Sequence, residues 1–140
     1  MSEIEGCSNY TIHNEFRRNI NSSNSYNQLN STSCDFRYLR EGWHRFTGAA
    51  GTIIYTQTPG SCNSCGTRNP GWISHGLYPK NPGQSSTLSM GITWDYYRHN
   101  CYGFTEREPV VVRNCGDFYT YKFLSFPSWV NCGFRVCTTF

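Results

Sequence analysis

The sequence predicts a mainly β fold: a single compact, disulfide-rich antiparallel β domain with long loops and at most one or two short helices, with an α+β arrangement as the alternative. The length of 140 residues suits one domain. Eight cysteines, an even number, indicate a disulfide framework formed in an oxidising compartment. Short runs rich in β-branched and aromatic residues alternate with stretches rich in Gly, Pro and Asn, as strands alternate with turns.

The N-terminal part of the chain is predicted to be a long polar loop, residues 8–33, within one domain that spans 1–140. It is rich in Asn and Ser and has no helical stripe of apolar residues, and we expect it to be tied between Cys7 and Cys34. Three N-x-S/T sequons agree with secretion and predict glycosylation of Asn9, Asn21 and Asn30.

The later segments carry the strand predictions. Residues 35–46 begin ambiguously and end as a strand, and 51–58 predicts a second strand because it is rich in β-branched residues. Residues 59–83 are rich in residues that favour turns and include three Pro-Gly dipeptides. The clearest element is a β-hairpin over 109–124, which turns at the sequence Cys-Gly-Asp, and 126–140 is strand-like.

Charge and hydropathy argue against two classes of partner. Charged residues make up 15% of the chain, the net charge is +3, and no basic stripe is present, which argues against nucleic acid. No apolar run approaches the length of a membrane span. The opening "MSEIEGC" has no apolar stretch, so either a signal peptide was removed and a Met added, or the protein is intracellular. The cysteines favour removal, and the predicted location is secreted and extracellular.

The cysteine spacing favours disulfides over zinc binding and redox chemistry. The chain has one C-x-x-C, Cys62 to Cys65, with no second pair and no H-x-x-x-H after it, which a structural zinc site would need. It lies in a loop of Gly, Pro and Asn rather than opening a helix, as a redox pair would. We therefore assign every cysteine to disulfides, with the pairing open: Cys7, Cys34, Cys62, Cys65, Cys101, Cys115, Cys132 and Cys137.

No pattern of catalytic residues stands out, and we expect no enzyme. None of the four histidines accompanies a nucleophile or metalloprotease motif. Disulfide formation leaves no thiolate as a nucleophile. Nine acidic residues are present, but no pair is marked out for glycoside hydrolysis.

Five motifs, in order along the chain, carry a family resemblance. The chain resembles the cysteine-rich domain of uromodulin and pancreatic glycoprotein 2, which has eight- and ten-cysteine versions. The motifs are "CSNYT" (7–11), "GWHRFTGAAG" (42–51), "CGTRNPGWISHGLYP" (65–79), "VVVRNCGDFYTYKF" (110–123) and "PSWVNCGFRVCT" (127–138). The resemblance implies that Trp43, Arg45, Phe46 and Trp72 are framework residues rather than ligand contacts.

The region around "MGITWDYYRHNCYGF" departs from the family pattern. Ten-cysteine members have one cysteine upstream of the Trp and a Cys-Cys pair after it, whereas only Cys101 is present here. The resemblance implies that the two missing cysteines bond to each other and that the remaining eight form four bridges. Relative to the family pattern, residues are also inserted before and after Cys101, and insertions at loop tips are where a scaffold acquires its own function.

A carbohydrate-binding function is predicted for this departure region. A small, disulfide-stapled β domain rich in Tyr and Trp suits a lectin, and small galactose-binding lectins of sea anemones and other marine invertebrates are more loosely similar. Sugar sites combine an aromatic face with convergent polar groups. The predicted sugar-binding residues are Trp94, Tyr96, Tyr97, Arg98, His99 and Asn100. Carboxylates cluster nearby and predict a Ca²⁺ site, the alternative being ion pairs with neighbouring arginines: Asp95, Glu106, Glu108 and Asp117.

Two alternatives to a lectin remain open. Relatives in mucosal glycoproteins present their own N-glycans as decoys for bacterial adhesins, and Asn9 lies in the family-like opening motif. A third interpretation is an extracellular adhesion module that binds a protein partner. For the lectin, the expected partners are glycans of cell-surface or microbial glycoconjugates. We expect a homodimer or higher oligomer, since one weak site per domain gains by avidity.

Overall fold

A computed structural model describes residues 4–21, 35–57, 65, 69–96, 100–126 and 134–140, with the backbone alone at 36, 93–96, 100–107 and 134. The helices are short: α1 (Asp35–Tyr38) and two 3-10 turns, Phe16–Arg18 and Gly48–Ala50. The strands are β1 (Thr11–His13), β2 (Trp43–Phe46), β3 (Ile53–Ile54), β4 (Asn69–His75), β5 (Ser85–Tyr96), β6 (Asn100–Asn114), β7 (Tyr119–Phe123), β8 (Phe134–Val136) and β9 (Thr138–Thr139).

Seven strands form one sheet in the order β1-β2-β7-β6-β5-β4-β8, and β3 pairs with β9 in a second, two-stranded sheet. The mainly β prediction with only short helices is confirmed. The centre of the large sheet is antiparallel, but both of its edges, β1 on β2 and β8 on β4, are parallel pairings. Parallel neighbours need long connections, and each of these pairs joins chain segments that are far apart in sequence.

One face of the central strands forms the core. Alternation along β6 and β7 buries Val110, Val112, Tyr121 and Phe123 on the same side of the sheet. Strand β5 adds an apolar row that includes Met90. Fully burying each such side chain contributes about 1.5–3 kcal/mol. This core fixes the pairing register of β5 and β6, and the outer part of their hairpin continues from it.

The predicted hairpin over 109–124 is confirmed, since Val110 pairs with Phe123 and Asn114 with Tyr119. Two other local predictions differ from the structure. In the described part of 51–58 the strand is short: β3 covers Ile53–Ile54 and pairs with β9. The turn-rich segment 59–83 contains β4, because its Pro-Gly dipeptide at 70–71 is accommodated between β5 and β8 rather than in a turn.

The N-terminal segment differs from the expected long loop in its described part. Strand β1 pairs with β2, and the 3-10 turn that follows buries Arg18. The expected tie between Cys7 and Cys34 is wrong for Cys7, which bonds to Cys115 instead. The bond anchors the segment on the β6–β7 turn, a contact across 108 residues that no local pattern indicates.

A second disulfide joins Cys65 to Cys137, so the disulfide prediction is confirmed for four of the eight cysteines. None of the cysteines whose side chains the structure describes is free. Cys34, Cys62 and Cys132 lie outside the described residues, and Cys101 is described by its backbone. Within the described residues no helix is long and apolar enough to cross a membrane.

Candidate functional site

Among the described residues, the outer part of the β5–β6 hairpin extends past the strands that pair with its inner part. Pairing of β5 with β4 ends at Ile92, and pairing of β6 with β7 ends at Val110. Beyond these points β5 and β6 continue to pair with each other, as far as Tyr96 opposite Asn100. We call residues 93–96 and 100–107 the distal ribbon. Four residues past Ile92 extend it by about 13 Å, at about 3.3 Å per residue.

Two register shifts bend this hairpin. Between the pairs Met90–Glu108 and Ile92–Thr105, β6 has one more residue than β5, and the same occurs between Trp94–Gly103 and Tyr96–Asn100. Such β-bulges increase local twist and re-aim the side chains of the bulged strand. The insertion expected around Cys101 is thus accommodated within paired strands and not only in a loop.

The predicted sugar-binding residues gather at the end of the distal ribbon as far as the structure describes them. Trp94 is paired with Gly103, and Tyr96 lies opposite Asn100, so these predicted positions share the ribbon. The other predicted contacts, Tyr97, Arg98 and His99, lie outside the described residues.

The backbone places the predicted calcium ligands in two separate parts of the β5–β6–β7 region. Asp117 is exposed in the β6–β7 turn, whereas Asp95 lies in the distal ribbon. Six residues of extended strand, about 20 Å, separate Glu108 from Asn114, where β6 ends and leads into that turn. A Ca²⁺ ion needs its oxygens at about 2.3–2.6 Å, so Asp117 lies too far from Glu108 to bind the same ion.

Of the remaining three carboxylates, Glu106 and Glu108 are near one another in β6, and Asp95 is nearer the tip. Glu108 accepts a hydrogen bond from the Ser125 hydroxyl through Oε2 at 2.9 Å. Across the described side chains, no group of three or more His, Cys, Asp or Glu is placed to hold a metal ion.

Trp43 and Trp72 are framework residues, as predicted. They are 9% and 4% exposed. The indole Nε1 of Trp43 donates to Glu5 Oε1 at 3.4 Å, and the backbone of Gly6 packs against its ring. Arg113 lies over the same ring, with its guanidinium carbon 5.7 Å from the ring centroid. These contacts leave the indole no face for a sugar.

Arg45, in the same signature, is also a packing residue. Its guanidinium carbon lies 3.8 Å from the centroid of the Phe118 ring, and Nη1 donates to the Tyr10 hydroxyl at 3.0 Å. The cation therefore rests between aromatic rings from the N-terminal segment and the β6–β7 turn. His75 is exposed and contacts Ser74.

A buried pair of histidines was not predicted from the sequence. His44 Nε2 lies 2.9 Å from the Glu41 carbonyl oxygen, so it carries the proton and donates. His44 Nδ1 is then the acceptor for His13 Nε2–H, at 2.9 Å. Burial, followed by the charge of Arg18, lowers the pKa of His13 to about 4, and burial also lowers the pKa of His44. Both rings are therefore neutral at pH 7.

A buried ion pair lies beside the histidines. Arg18 Nη1 donates to Asp35 Oδ2 at 2.6 Å, and Nη2 donates to Oδ1 at 2.9 Å. Asp35 Oδ2 also accepts from the Val136 backbone N–H at 2.7 Å. The carboxylate therefore joins α1, the N-terminal 3-10 turn and β8. The sequence signal for it was weak, because Arg18 stands in a segment that reads as a polar loop.

The first sequon is accessible. Asn9 and Thr11 are both exposed, and Thr11 lies in edge strand β1. Asn21 is also exposed, and Asn30 lies outside the described residues. An exposed asparagine followed by an exposed threonine meets the physical requirement for N-glycosylation in a secreted chain.

Comparison with known proteins identifies the family. A search of curated proteins finds no match to the chain. The model of the uromodulin-like domain family matches residues 44–138, which is most of the 140-residue chain. The match runs from β2 to β9 and includes the β5–β6 hairpin, and domains of this type are typically extracellular. The chain therefore belongs to the family of uromodulin-like cysteine-rich domains.

Proposed function

We propose that the protein is a secreted carbohydrate-binding module, a lectin for terminal galactose-type sugars, and that the distal ribbon is its binding surface. The observation that supports this most is the extension of β5 and β6 beyond β4 and β7. A hairpin end that lies beyond its described neighbouring strands offers a surface that a glycan on a cell can approach.

The residue types of the ribbon suit sugar recognition. Trp94 and Tyr96 offer aromatic rings, which stack on the apolar face of a pyranose. Asn100 offers an amide that donates and accepts hydrogen bonds, and both are needed to bind vicinal hydroxyls. The proposal is therefore one of binding rather than catalysis.

The test is a glycan array probed with unglycosylated recombinant protein. We expect binding to terminal galactose-type sugars, and a loss of about tenfold or more in Trp94→Ala and Tyr96→Ala, which remove about 1.4 kcal/mol or more of aromatic contact. Tyr38→Ala is the matched control, because Tyr38 is an exposed aromatic in α1, outside the ribbon. Absence of binding to every sugar, or equal binding by all variants, would overturn the proposal.

Calcium dependence is a separable part of this proposal. It rests on Glu106 and Glu108, two carboxylates at the base of the ribbon, since carboxylate oxygens are the ligands that Ca²⁺ prefers. The array is repeated in EDTA. Binding that vanishes in EDTA and in Glu106→Gln supports calcium, whereas binding that survives both removes the ion and leaves the lectin.

The proposal includes an oligomer because several linked sites bind a glycan surface more tightly than one site does. A single sugar site is weak, and two linked sites bind a multivalent glycan surface roughly 10²–10⁴-fold more tightly. We therefore propose a homodimer or higher oligomer, to be measured by sedimentation equilibrium of the array-active protein.

Glycan presentation is the second candidate, and the exposure of Asn9 and Thr11 favours it. In this case the glycan on Asn9 is the ligand of another protein, such as a bacterial adhesin. Glycosylated wild-type protein would capture an adhesin, and Asn9→Gln would not, whereas Asn21→Gln serves as the control. Equal capture by both variants would contradict a role for Asn9.

A further inference from the structure

The central strands of the large sheet have a second face, opposite the one that forms the core. Side chains alternate along each strand, and Val112 in β6 and Tyr121 in β7 are buried in the core. The residues next to them therefore lie on the opposite face, as do the residues on either side of buried Leu88 in β5. We call the following set the outer basic face: Ser85, Thr87, Ser89, Val111, Arg113 and Lys122.

The sheet register brings two cations of this face together. Lys122 pairs with Val111, and Arg113 is two residues further along β6. The side chains of such a diagonal pair lie about 7–8 Å apart. Both cations also approach the Trp43 ring: the guanidinium carbon of Arg113 is 5.7 Å from its centroid, and Lys122 Nζ is 6.0 Å from it. These cation–π contacts favour positions of the two charges beside the same ring.

The two charges are only weakly compensated by the contacts that the structure describes. Lys122 Nζ lies 3.9 Å from Glu5 Oε1, and the two side chains are 41% and 68% exposed. An exposed ion pair of this kind is weak, so an incoming anion can replace the carboxylate. Arg113 Nη1 donates to the Gly83 carbonyl oxygen at 2.9 Å, a hydrogen bond that leaves the positive charge in place. None of the six residues of the outer basic face is acidic.

A third cation borders the face on β2. Arg45 and Trp43 flank buried His44, so both lie on the outward side of β2, and Trp43 pairs with Lys122. The positive charges therefore come from β2, β6 and β7, which are far apart in the sequence. This is why the sequence contains no basic run that would indicate them.

The neighbouring strand adds hydroxyl groups at regular spacing. Ser85, Thr87 and Ser89 follow one another on the outward side of β5, about 6.6 Å apart. Ser85 lies opposite Arg113, and Ser85 and Thr87 are both exposed. A hydroxyl group both donates and accepts hydrogen bonds, as the hydroxyl groups of a sugar do. The face therefore combines cations with groups that can bind sugar oxygens.

We propose that the outer basic face binds a sulfated polysaccharide of the glycosaminoglycan class. Charge complementarity favours this partner, because its sulfate groups accept charge-assisted hydrogen bonds from Arg113 and Lys122. The cations and hydroxyl groups are spread over neighbouring strands, so a polymer that makes several weak contacts at once suits them. This surface is distinct from the distal ribbon and does not depend on the recognition of galactose.

The first test is surface plasmon resonance on immobilised heparin in about 0.1 M salt. We expect wild-type protein to bind, and Arg113→Gln/Lys122→Gln to bind about tenfold or more weakly, because charge-assisted hydrogen bonds are lost. Arg40→Gln/Lys80→Gln is the matched control, since it removes two exposed cations outside the face and changes the net charge equally. It should bind like wild type. No binding by wild-type protein, or an equal loss in both double variants, would overturn the proposal.

Two further measurements cover the case in which the variant at Arg113 does not fold. Lys122→Gln alone changes a side chain that is 41% exposed, and it should bind heparin about threefold or more weakly. In wild-type protein, a heparin oligosaccharide should shift the amide resonances of 85–89, 111–113 and 122 and leave those of 93–96 unchanged. Shifts centred elsewhere, or none at saturation, would overturn the proposal.

Two other polymers on the same sensor distinguish recognition of a sulfated sugar from general attraction to a polyanion. Desulfated heparin keeps the sugar backbone but lacks the sulfate groups, and we expect it not to bind. Single-stranded DNA of equal charge should bind at least about tenfold more weakly than heparin, because its anions and hydrogen-bonding groups are arranged differently. Binding of either polymer as tightly as heparin would overturn the proposal.

Discussion

At the scale of single residues, the buried histidine pair makes the stability of the domain depend on pH. His13 is neutral in the folded state because burial lowers its pKa from 6.5 to about 4. The unfolded chain takes up this proton first as the pH falls. The stabilisation is therefore complete above about pH 6.5 and is lost between 6.5 and 4, at about 1.4 kcal/mol per pH unit and about 3 kcal/mol in all.

Urea unfolding at pH 7.5, 6 and 5 measures this effect. We expect the free energy of unfolding to fall more steeply with decreasing pH in wild-type protein than in His13→Asn, which cannot take up the proton. His75→Asn is the matched control, because His75 is exposed, and it should follow wild type. Parallel pH profiles for wild type and His13→Asn would show that the pair does not titrate as described.

Substitutions at two glycines with left-handed backbone can distinguish the cost of conformational strain from the cost of a steric clash. Gly6 has φ +90° and Gly42 has φ +79°, so a side chain strains both. A methyl group on Gly6 would also lie 2.5 Å from Trp43 Cδ2, whereas one on Gly42 would meet nothing within 4 Å.

We therefore expect Gly42→Ala to cost about 1–2 kcal/mol of unfolding free energy and Gly6→Ala to cost at least about 1 kcal/mol more. Gly6→Ala should also change the Trp43 fluorescence, because the indole must move. Equal costs for the two substitutions, with unchanged fluorescence, would show that Gly6 does not pack on the ring.

At the scale of elements, the Cys7–Cys115 disulfide holds the N-terminal segment to the β6–β7 turn. The paired variant Cys7→Ser/Cys115→Ser removes a cross-link over 108 residues, which stabilises a domain by about 2–5 kcal/mol. We expect a Tm lower by about 5–15 °C in scanning calorimetry. Peptide mapping of the unreduced wild-type protein provides the control, and a Cys7–Cys34 peptide there would contradict the pairing.

The elements differ in how far local sequence determines them. The hairpin over 109–124 was predictable because its two strands are joined by a short turn and its apolar alternation is local. The parallel pairing of β4 with β8 was not, since Asn69 and Phe134 meet across a long stretch of chain. The Pro-Gly dipeptide at 70–71 predicted a turn, and tertiary pairing on both sides of β4 overrode it.

At the scale of the whole molecule, the fold class and the framework role of Trp43 and Trp72 followed from the sequence, because composition and family motifs report them. The contacts among the buried polar residues did not follow from the sequence. His13 meets His44 across 31 residues and Arg18 meets Asp35 across 17, and no single-sequence pattern encodes such contacts.

The position of the candidate site stays a prediction, and the structure shows only where part of that segment lies. An aromatic, polar insertion around Cys101 indicated a binding region, and the structure places its described part on the distal ribbon. Sequence proximity suggested that Asp117 joins Asp95, yet extended strands carry residues apart by about 3.3 Å each. Closeness along an extended chain therefore does not predict a shared ion.

The most direct test of the central claim is an amide chemical-shift titration with the galactose-type glycan that binds best on the array. The account predicts that shifts concentrate in the distal ribbon, at 93–96 and 100–107, and that Val110 to Asn114 in the same strand, inside the sheet, stay unchanged. Shifts centred on the N-terminal segment around Asn9, or none at saturating glycan, would contradict it.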